Sequence, residues 1–247
     1  MRLDHYLVLK NQASTRSKAT DLIKRGLVLV NGKPASKPGQ DVQKDDHVEV
    51  LLKSPYVSRA GEKLDQAFKR FNLSVMDKTV LDIGSSTGGF TDCCLQQGAK
   101  HVMAVDVGKD QMDQRLANDP RVILREGTNI LNLEIPIVDV ILVDVSFTSI
   151  KPILHHLKGF KGQMVLLLKP QFEAGNIRFK KGVLKDKKIH LLIAMDIIDT
   201  LEALGFTIAG FMASPLKGKE GNQEYLIYID PNKPINDIRK QLGEHIC

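Results

Sequence analysis

The sequence predicts an α/β protein in which a doubly wound sheet follows a small α+β unit. Three observations predict it. From residue 58 onward, short apolar runs alternate with amphipathic stretches, the pattern of strands exchanged with helices. A glycine-rich turn, Gly84-Ser85-Ser86-Thr87-Gly88-Gly89, joins one apolar run to a helical stretch, as where α/β sheets bind nucleotide-like ligands. Ahead of both, two short helical patterns lead into strands joined through Asn31-Gly32, a hairpin turn.

The first unit is expected over residues 1–52. Leu3, Tyr6 and Leu7 fall at helical spacing, Ser14-Thr15-Arg16-Ser17 supplies cap residues to a second helix, and Gly26 stops that helix. Leu27–Val30 and His47–Leu51 read as strands. Residues 53–57 read as a linker because Pro55 interrupts the pattern, and 58–230 form the larger domain, with 231–247 a short polar tail that has room for one helix. Within the larger domain, strands are expected at 79–83, 101–106, 121–124, 138–144, 163–169, 206–212 and 223–229. Helices are expected near 88–97, 110–117, 149–158 and 186–204.

Of the 247 residues 43% are hydrophobic, enough for an ordinary core and against disorder. The net charge of +6 is concentrated: residues 1–55 carry ten Lys/Arg against six Asp/Glu, and residues 161–190 carry eight against two. Such patches suit an acidic partner, although a solvated surface reads equally well from charge alone. Cys93, Cys94 and Cys247 make no metal-ligand spacing, and the adjacent pair reads as buried core. No apolar leader opens the chain and no run of about twenty apolar residues occurs, so a reduced, cytoplasmic setting without membrane or metal is expected.

Several residues carry possible chemistry. Gly84, Gly88 and Gly89 lack the Cβ atoms that would keep a ligand from the backbone, in a G-x-x-x-G-G spacing that serves a cofactor site or merely a tight turn. Asp106 ends the next strand, 22 positions after Gly84, where a carboxylate accepts from ribose hydroxyls of any adenosyl cofactor. Glu126-Gly127-Thr128-Asn129 reads as an adenine contact or a surface loop. Asp144 and Lys169 each end an otherwise apolar strand, so both charges are expected at the carboxyl rim where such sheets bind ligands. Phe147 and Phe172 flank that rim, with core packing favoured over stacking on a nucleic-acid base.

Residues 1–50 resemble the S-four RNA-binding module: Arg2-Leu3-Asp4, then Ser14-x-Arg16-x-x-Ala19-x-x-x-Ile23-x-x-Gly26-x-Val28-x-Val30-Asn31-Gly32, then Lys37-Pro38. The rest resembles the 2′-O-ribose methyltransferases of the FtsJ/RrmJ type, and more narrowly the TlyA family, whose members join the two modules and are often labelled hemolysins. The matching motifs are Ser58-Arg59-Ala60-Gly61-Glu62-Lys63-Leu64, Leu81-Asp82-Ile83 through Thr91-Asp92, Asp144-Val145-Ser146-Phe147, Leu168-Lys169-Pro170-Gln171-Phe172-Glu173 and Gly221-Asn222-Gln223-Glu224-Tyr225.

The resemblance implies a Rossmann-like class I methyltransferase fold and S-adenosyl-L-methionine-dependent methylation of a cytidine ribose in ribosomal RNA, large subunit favoured. It places a catalytic tetrad on Lys63, Asp144, Lys169 and Glu224. It implies cofactor contacts from Asp82, Gly84, Ser85, Ser86, Thr87, Gly88, Gly89, Phe90, Asp106, Thr128, Asn129 and Asp144. RNA contacts fall on Arg2, Arg16, Lys18, Lys24, Arg25, Lys33 and Arg59, with Arg178, Lys180 and Lys181 of the second basic patch. Lys169 is then expected to take the proton of a ribose 2′-hydroxyl, a role that a second ammonium on Lys63 favours and tight carboxylate pairing opposes. Two other readings compete: an RNA-binding ribosome-assembly factor with a vestigial cofactor site, and a membrane-lytic protein, for which no apolar or strongly amphipathic exposed segment is evident.

Overall fold

A computed structural model describes every residue except 14, 52–54, 176–181, 235–236 and 247. The chain divides into two compact units, Met1–Pro55 and Tyr56–Cys247. Arg178, Lys180, Lys181 and Cys247 lie outside the described residues.

In the first unit, α1 (Leu3–Leu9) and α2 (Arg16–Lys24) precede three short strands, β1 (Val28–Val30), β2 (Lys33–Pro34) and β3 (Val48–Val50). Thr15 caps α2, its hydroxyl accepting the Lys18 N–H at 3.2 Å, and Gly26 leaves the helix at φ +70°. Asn31 and Gly32 both take positive φ, 52° and 74°, the two-residue turn whose twist matches a hairpin, so β1 pairs antiparallel with β2. The other edge of β1 pairs with β3. Leu3, Leu7, Ala19, Leu22, Ile23 and Val28 form its core.

The second unit opens with α3 (Arg59–Phe71), which buries Leu64, Ala67 and Phe68. Next come β4 (Thr79–Ile83), α4 (Gly89–Gln96), β5 (His101–Val105), α5 (Gln114–Ala117), β6 (Val122–Arg125) and β7 (Val140–Val143). The chain continues through α6 (Lys151–His156), β8 (Gln163–Leu168), α7 (Pro170–Glu173), α8 (Lys187–Ala203), β9 (Ile208–Ala213), β10 (Tyr225–Ile229) and α9 (Ile238–Ile246). The seven strands lie in the order β6-β5-β4-β7-β8-β10-β9, with β10 antiparallel to both neighbours. Strand order reverses between β4 and β7, and crevices at such switch points are where open α/β sheets bind ligands.

Both sheet faces are covered, which explains why the central strands read as unbroken apolar runs. Leu81, Ile83, Ile141, Val143, Leu166 and Leu168 face a core shared with α6, α8 and α9. The alternate residues Val80, Val140, Leu142, Val165 and Leu167 face the core of α3 and α4.

Three segments differ from expectation. Tyr56 and Val57, read as linker, are buried in the second core. The helix expected over 110–117 shortens to Gln114–Ala117, because the Glu126 carboxylate takes the N–H groups of Asp110, Gln111 and Met112 at 2.9, 2.9 and 3.1 Å and holds them as a loop. The tail 231–247 does contain its one helix, α9, but that helix belongs to the core: it packs on β9 and buries Ile238, Leu242 and Ile246, and Gln241 accepts the Phe211 N–H at 3.1 Å. No helix among the described residues is long and apolar enough to cross a membrane.

Candidate active site

The glycine turn sits at the switch point, and the protein's own packing requires much of its glycine. A Cβ on Gly84, at φ +84°, would lie 2.6 Å from the Asp144 carbonyl oxygen, so the ends of β4 and β7 approach this closely only with glycine there. Gly88, at φ +90°, leaves room for Met112 and Leu116, and Gly89 for Ser58 and Ala60. The sequence suggested that all three glycines clear a path for ligand; Gly84 and Gly89 do line the cleft, whereas Gly88 does not.

The cleft is walled by Gly84 to Thr87, Gly89 and Phe90, by Ser58 and Ala60, and by Asp144, Ser146 and Lys169. Ser85 is 95% buried there (5% exposed), with its hydroxyl oxygen unpartnered. Beneath it Asp82 is fully buried. Its Oδ2 accepts from the Thr91 hydroxyl at 2.6 Å and its Oδ1 has no partner. Burial pushes the Asp82 carboxyl up to about 7, against the opposing pull of Thr91. Unsatisfied buried polar atoms beside a glycine turn fit a polar ligand such as the amino-acid end of an adenosyl methyl donor.

Asp106 reaches back to the turn. Its Oδ2 accepts the Ser86 N–H at 2.8 Å and its Oδ1 the Gly108 N–H at 2.7 Å, which leaves lone pairs on both oxygens for ribose hydroxyls. Thr128 and Asn129 do not line the cleft. The Thr128 hydroxyl donates to the Glu126 carbonyl at 3.1 Å and Asn129 caps the turn at Ile130–Asn132, so both have local work.

The four residues of the expected tetrad form two ion pairs. Lys169 Nζ lies 2.6 Å from Asp144 Oδ1 and donates to Ser146 Oγ at 2.7 Å. Lys63 Nζ meets Glu224 Oε2 at 2.5 Å, and both side chains are buried. Strand register explains the convergence. Asp144 follows β7 beside Gly84, Lys169 follows β8, and the Tyr225–Leu168 pairing brings Glu224 to the same rim from antiparallel β10. Lys63 joins from α3, whose buried face otherwise carries Leu64, Ala67 and Phe68. Of the four, Asp144 and Lys169 face the cleft.

Phe147 overturns its core assignment. It is 91% exposed, at φ +64°, with its ring 5.2 Å from that of half-buried Phe172. Sequence reasoning passed over Ser146, a short polar residue whose only signal is its place two residues after Asp144. It also passed over Glu173, whose carboxylate accepts from the Ser149 hydroxyl and the Ile150 N–H and so pins the start of α6. Among the described residues no group of side chains suited to holding a metal is assembled.

In the first unit, Asp4 is buried. It accepts both N–H arms of Arg2 at 3.0 Å and an Arg16 N–H at 3.0 Å. Arg2 above all, and Arg16 with it, hold this carboxyl well below the usual range, and both guanidinium groups stay more than half exposed. Lys24 and Lys33 are exposed, Lys18, Arg25 and Arg59 half-buried, and Arg25 lies 3.7 Å from Asp21.

Comparison with known proteins identifies the family. Residues 56–230 match the FtsJ-like methyltransferase family, and residues 1–48 match the S4 domain. The chain is 42% identical over 240 residues to hemolysin A of Brachyspira hyodysenteriae, covering 92% of this chain and 99% of that one. It is 37% identical over 254 residues to the 23S rRNA (cytidine-2′-O)-methyltransferase TlyA of Campylobacter jejuni, covering 94% of this chain and 100% of that one. Among solved structures, a protein of Streptococcus thermophilus named as a hemolysin superposes with a TM-score of 0.78 at 36% identity, covering 100% of this chain and 94% of that one. The chain belongs to the FtsJ-like methyltransferases, in the TlyA group that carries an S4 domain ahead of the catalytic one.

Proposed function

We propose that this protein transfers a methyl group from S-adenosyl-L-methionine to the 2′-oxygen of a cytidine ribose in ribosomal RNA, with the large subunit as the favoured substrate. The observation that carries the reading is the position of Lys169, its amine held at the rim of a cleft whose other wall is the glycine turn. Asp82, Gly84 to Thr87, Gly89 and Phe90 are suited to hold the donor, with Asp106 for its ribose and Thr128 and Asn129 toward its base. When bound, the donor supplies a methyl carbon activated by its sulfonium.

A ribose 2′-hydroxyl is a weak nucleophile, so the residues must align it and remove its proton during attack. Lys169 accepts that proton as the new O–C bond forms and the S–C bond breaks. Asp144 lies against the amine that becomes charged, and the Lys63–Glu224 pair is buried at the same rim of the sheet. The exposed Phe147 ring offers a stacking face to a splayed base.

The domain with the S4 pattern, residues 1–52, supplies RNA affinity through Arg2, Arg16, Lys18, Lys24, Arg25 and Lys33, which meet phosphates without reading bases. Arg59, Arg178, Lys180 and Lys181 extend that role to the domain of residues 58–230. Ribosomal RNA or a ribosomal subunit, in the cytoplasm, is the partner this reading requires.

The test incubates purified protein and the methyl donor with large ribosomal subunits from cells lacking the gene, and maps ribose methylation by mass spectrometry. Methylation at a cytidine by wild type, lost in Lys169→Ala while donor binding persists, is the expected result. An unmodified RNA that the protein nevertheless binds would favour an assembly factor instead.

A further inference from the structure

We propose that Ser146 is a positioning residue for methyl transfer, one that aims the Lys169 amine at the substrate hydroxyl. The inference rests on the reading of Lys169 as proton acceptor. Asp144-Val145-Ser146 runs so that alternate side chains take opposite sides: Val145 packs against the core, while Asp144 and Ser146 both line the cleft. Both oxygens then meet one nitrogen, Asp144 Oδ1 at 2.6 Å and Ser146 Oγ at 2.7 Å.

The two contacts differ in kind. The Ser146 contact has hydrogen-bond geometry, whereas Asp144 Oδ1 is close to the amine but off the hydrogen-bonding direction. Asp144 therefore contributes charge, and Ser146 contributes direction. The hydrogen bond to Ser146 fixes one N–H direction of the tetrahedral nitrogen, Asp144 lies beside it as a charge, and Lys169 lines the cleft. With that N–H fixed, the lone pair of the neutral amine is turned away from Ser146, and a hydroxyl that reaches it from the cleft loses its proton in line.

A neutral acceptor suits this task better than a carboxylate. A second carboxylate in its place would further favour the charged amine, which cannot act as a base. A serine oxygen directs an N–H while adding no net charge, and its short side chain loses little freedom on ordering. The backbone next to it is strained: Phe147 takes φ +64°, a conformation rare for an aromatic residue, where the chain turns away after presenting Ser146.

The test measures steady-state methyl transfer to large ribosomal subunits for wild type, Ser146→Ala, Ser146→Thr, Ser146→Cys and Lys169→Ala, with melting curves for each. Ser146→Ala is expected to lower kcat by roughly 10- to 100-fold, the worth of one hydrogen bond to a charged group, with KM for donor and RNA unchanged. Threonine restores the rate to within a few-fold. Cysteine, similar in shape but a weak acceptor, falls with alanine. Wild-type kcat in the alanine or cysteine variant, or a change confined to KM, with Lys169→Ala inactive, overturns the role of Ser146 and leaves that of Lys169. Wild-type turnover by Lys169→Ala overturns the reading beneath it.

Discussion

Glu224 lies one step beyond the Tyr225–Leu168 pair and so faces Lys169 across the antiparallel ladder, yet the amine it holds belongs to Lys63, 161 positions earlier in the chain. The lysine opposite is left to Asp144 and Ser146. Each ammonium at the rim thus has its own carboxylate, and only the Asp144–Lys169 pair reaches the cleft.

Breaking the buried pair leaves an uncompensated charge in the core. Lys63→Ala and Glu224→Ala are each expected to lower stability by about 3–5 kcal/mol, while the apolar double variant Lys63→Met/Glu224→Leu recovers most of that loss without recovering methyl transfer. Urea unfolding of the three variants, read beside activity, checks both halves.

Two glycines with the same handedness separate backbone strain from steric demand. Gly159, at φ +93°, has nothing within 4 Å of its Cβ position, so Gly159→Ala is expected to cost about 1 kcal/mol, the strain alone. Gly84→Ala adds a collision with the Asp144 backbone and is expected to abolish donor binding in calorimetry, because it forces apart the two strand ends that form the cleft.

Asp82 predicts a pH signature. Burial raises its carboxyl to about 7 in the folded chain, well above the value of about 3.9 in an unfolded one. Between those values the folded state binds the extra proton, so its stabilising contribution is full below about pH 4 and is lost as pH rises through about 7. Asp82→Asn removes that dependence, and its melting temperature relative to wild type is expected to rise as pH increases across the window. A constant offset in paired melts from pH 4 to 8 would show that Asp82 does not titrate there.

Asp4 has the opposite sign. Its carboxyl is held below the ordinary range, so the stability it confers is present above about pH 4 and lost as acid protonates it. Asp4→Asn is expected to weaken the first unit at neutral pH and flatten its acid unfolding. Because it also releases Arg2 and Arg16, it should weaken RNA binding evenly across sequences, measurable by filter binding over a salt series.

Strands were legible where burial on both faces makes an uninterrupted apolar run, as in Thr79–Ile83, which the structure reproduces residue for residue. The rim charges Asp144 and Lys169 were legible because a single ionised residue at the end of such a run has few places to go. The Lys63–Glu224 contact has no local signal; it arises from helix-on-sheet packing between distant segments, and only family resemblance named both residues. Helix 110–117 misled because its apolar spacing is real, whereas Glu126, a residue outside the segment, claims its N–H groups. Phe147 misled because hydrophobicity predicts burial, while its left-handed backbone turns the ring out to solvent.

The helix that ends the described chain has a protective consequence. The outer side of β9 would otherwise offer bare peptide groups to any passing strand, and α9 lies over that strand while Gln241 takes the Phe211 N–H. At the far end of the sheet the outer strand β6 ends on exposed Arg125, a charge that discourages pairing with another strand. The two margins are therefore guarded by different means, and losing the helix would turn one of them into a template for aggregation.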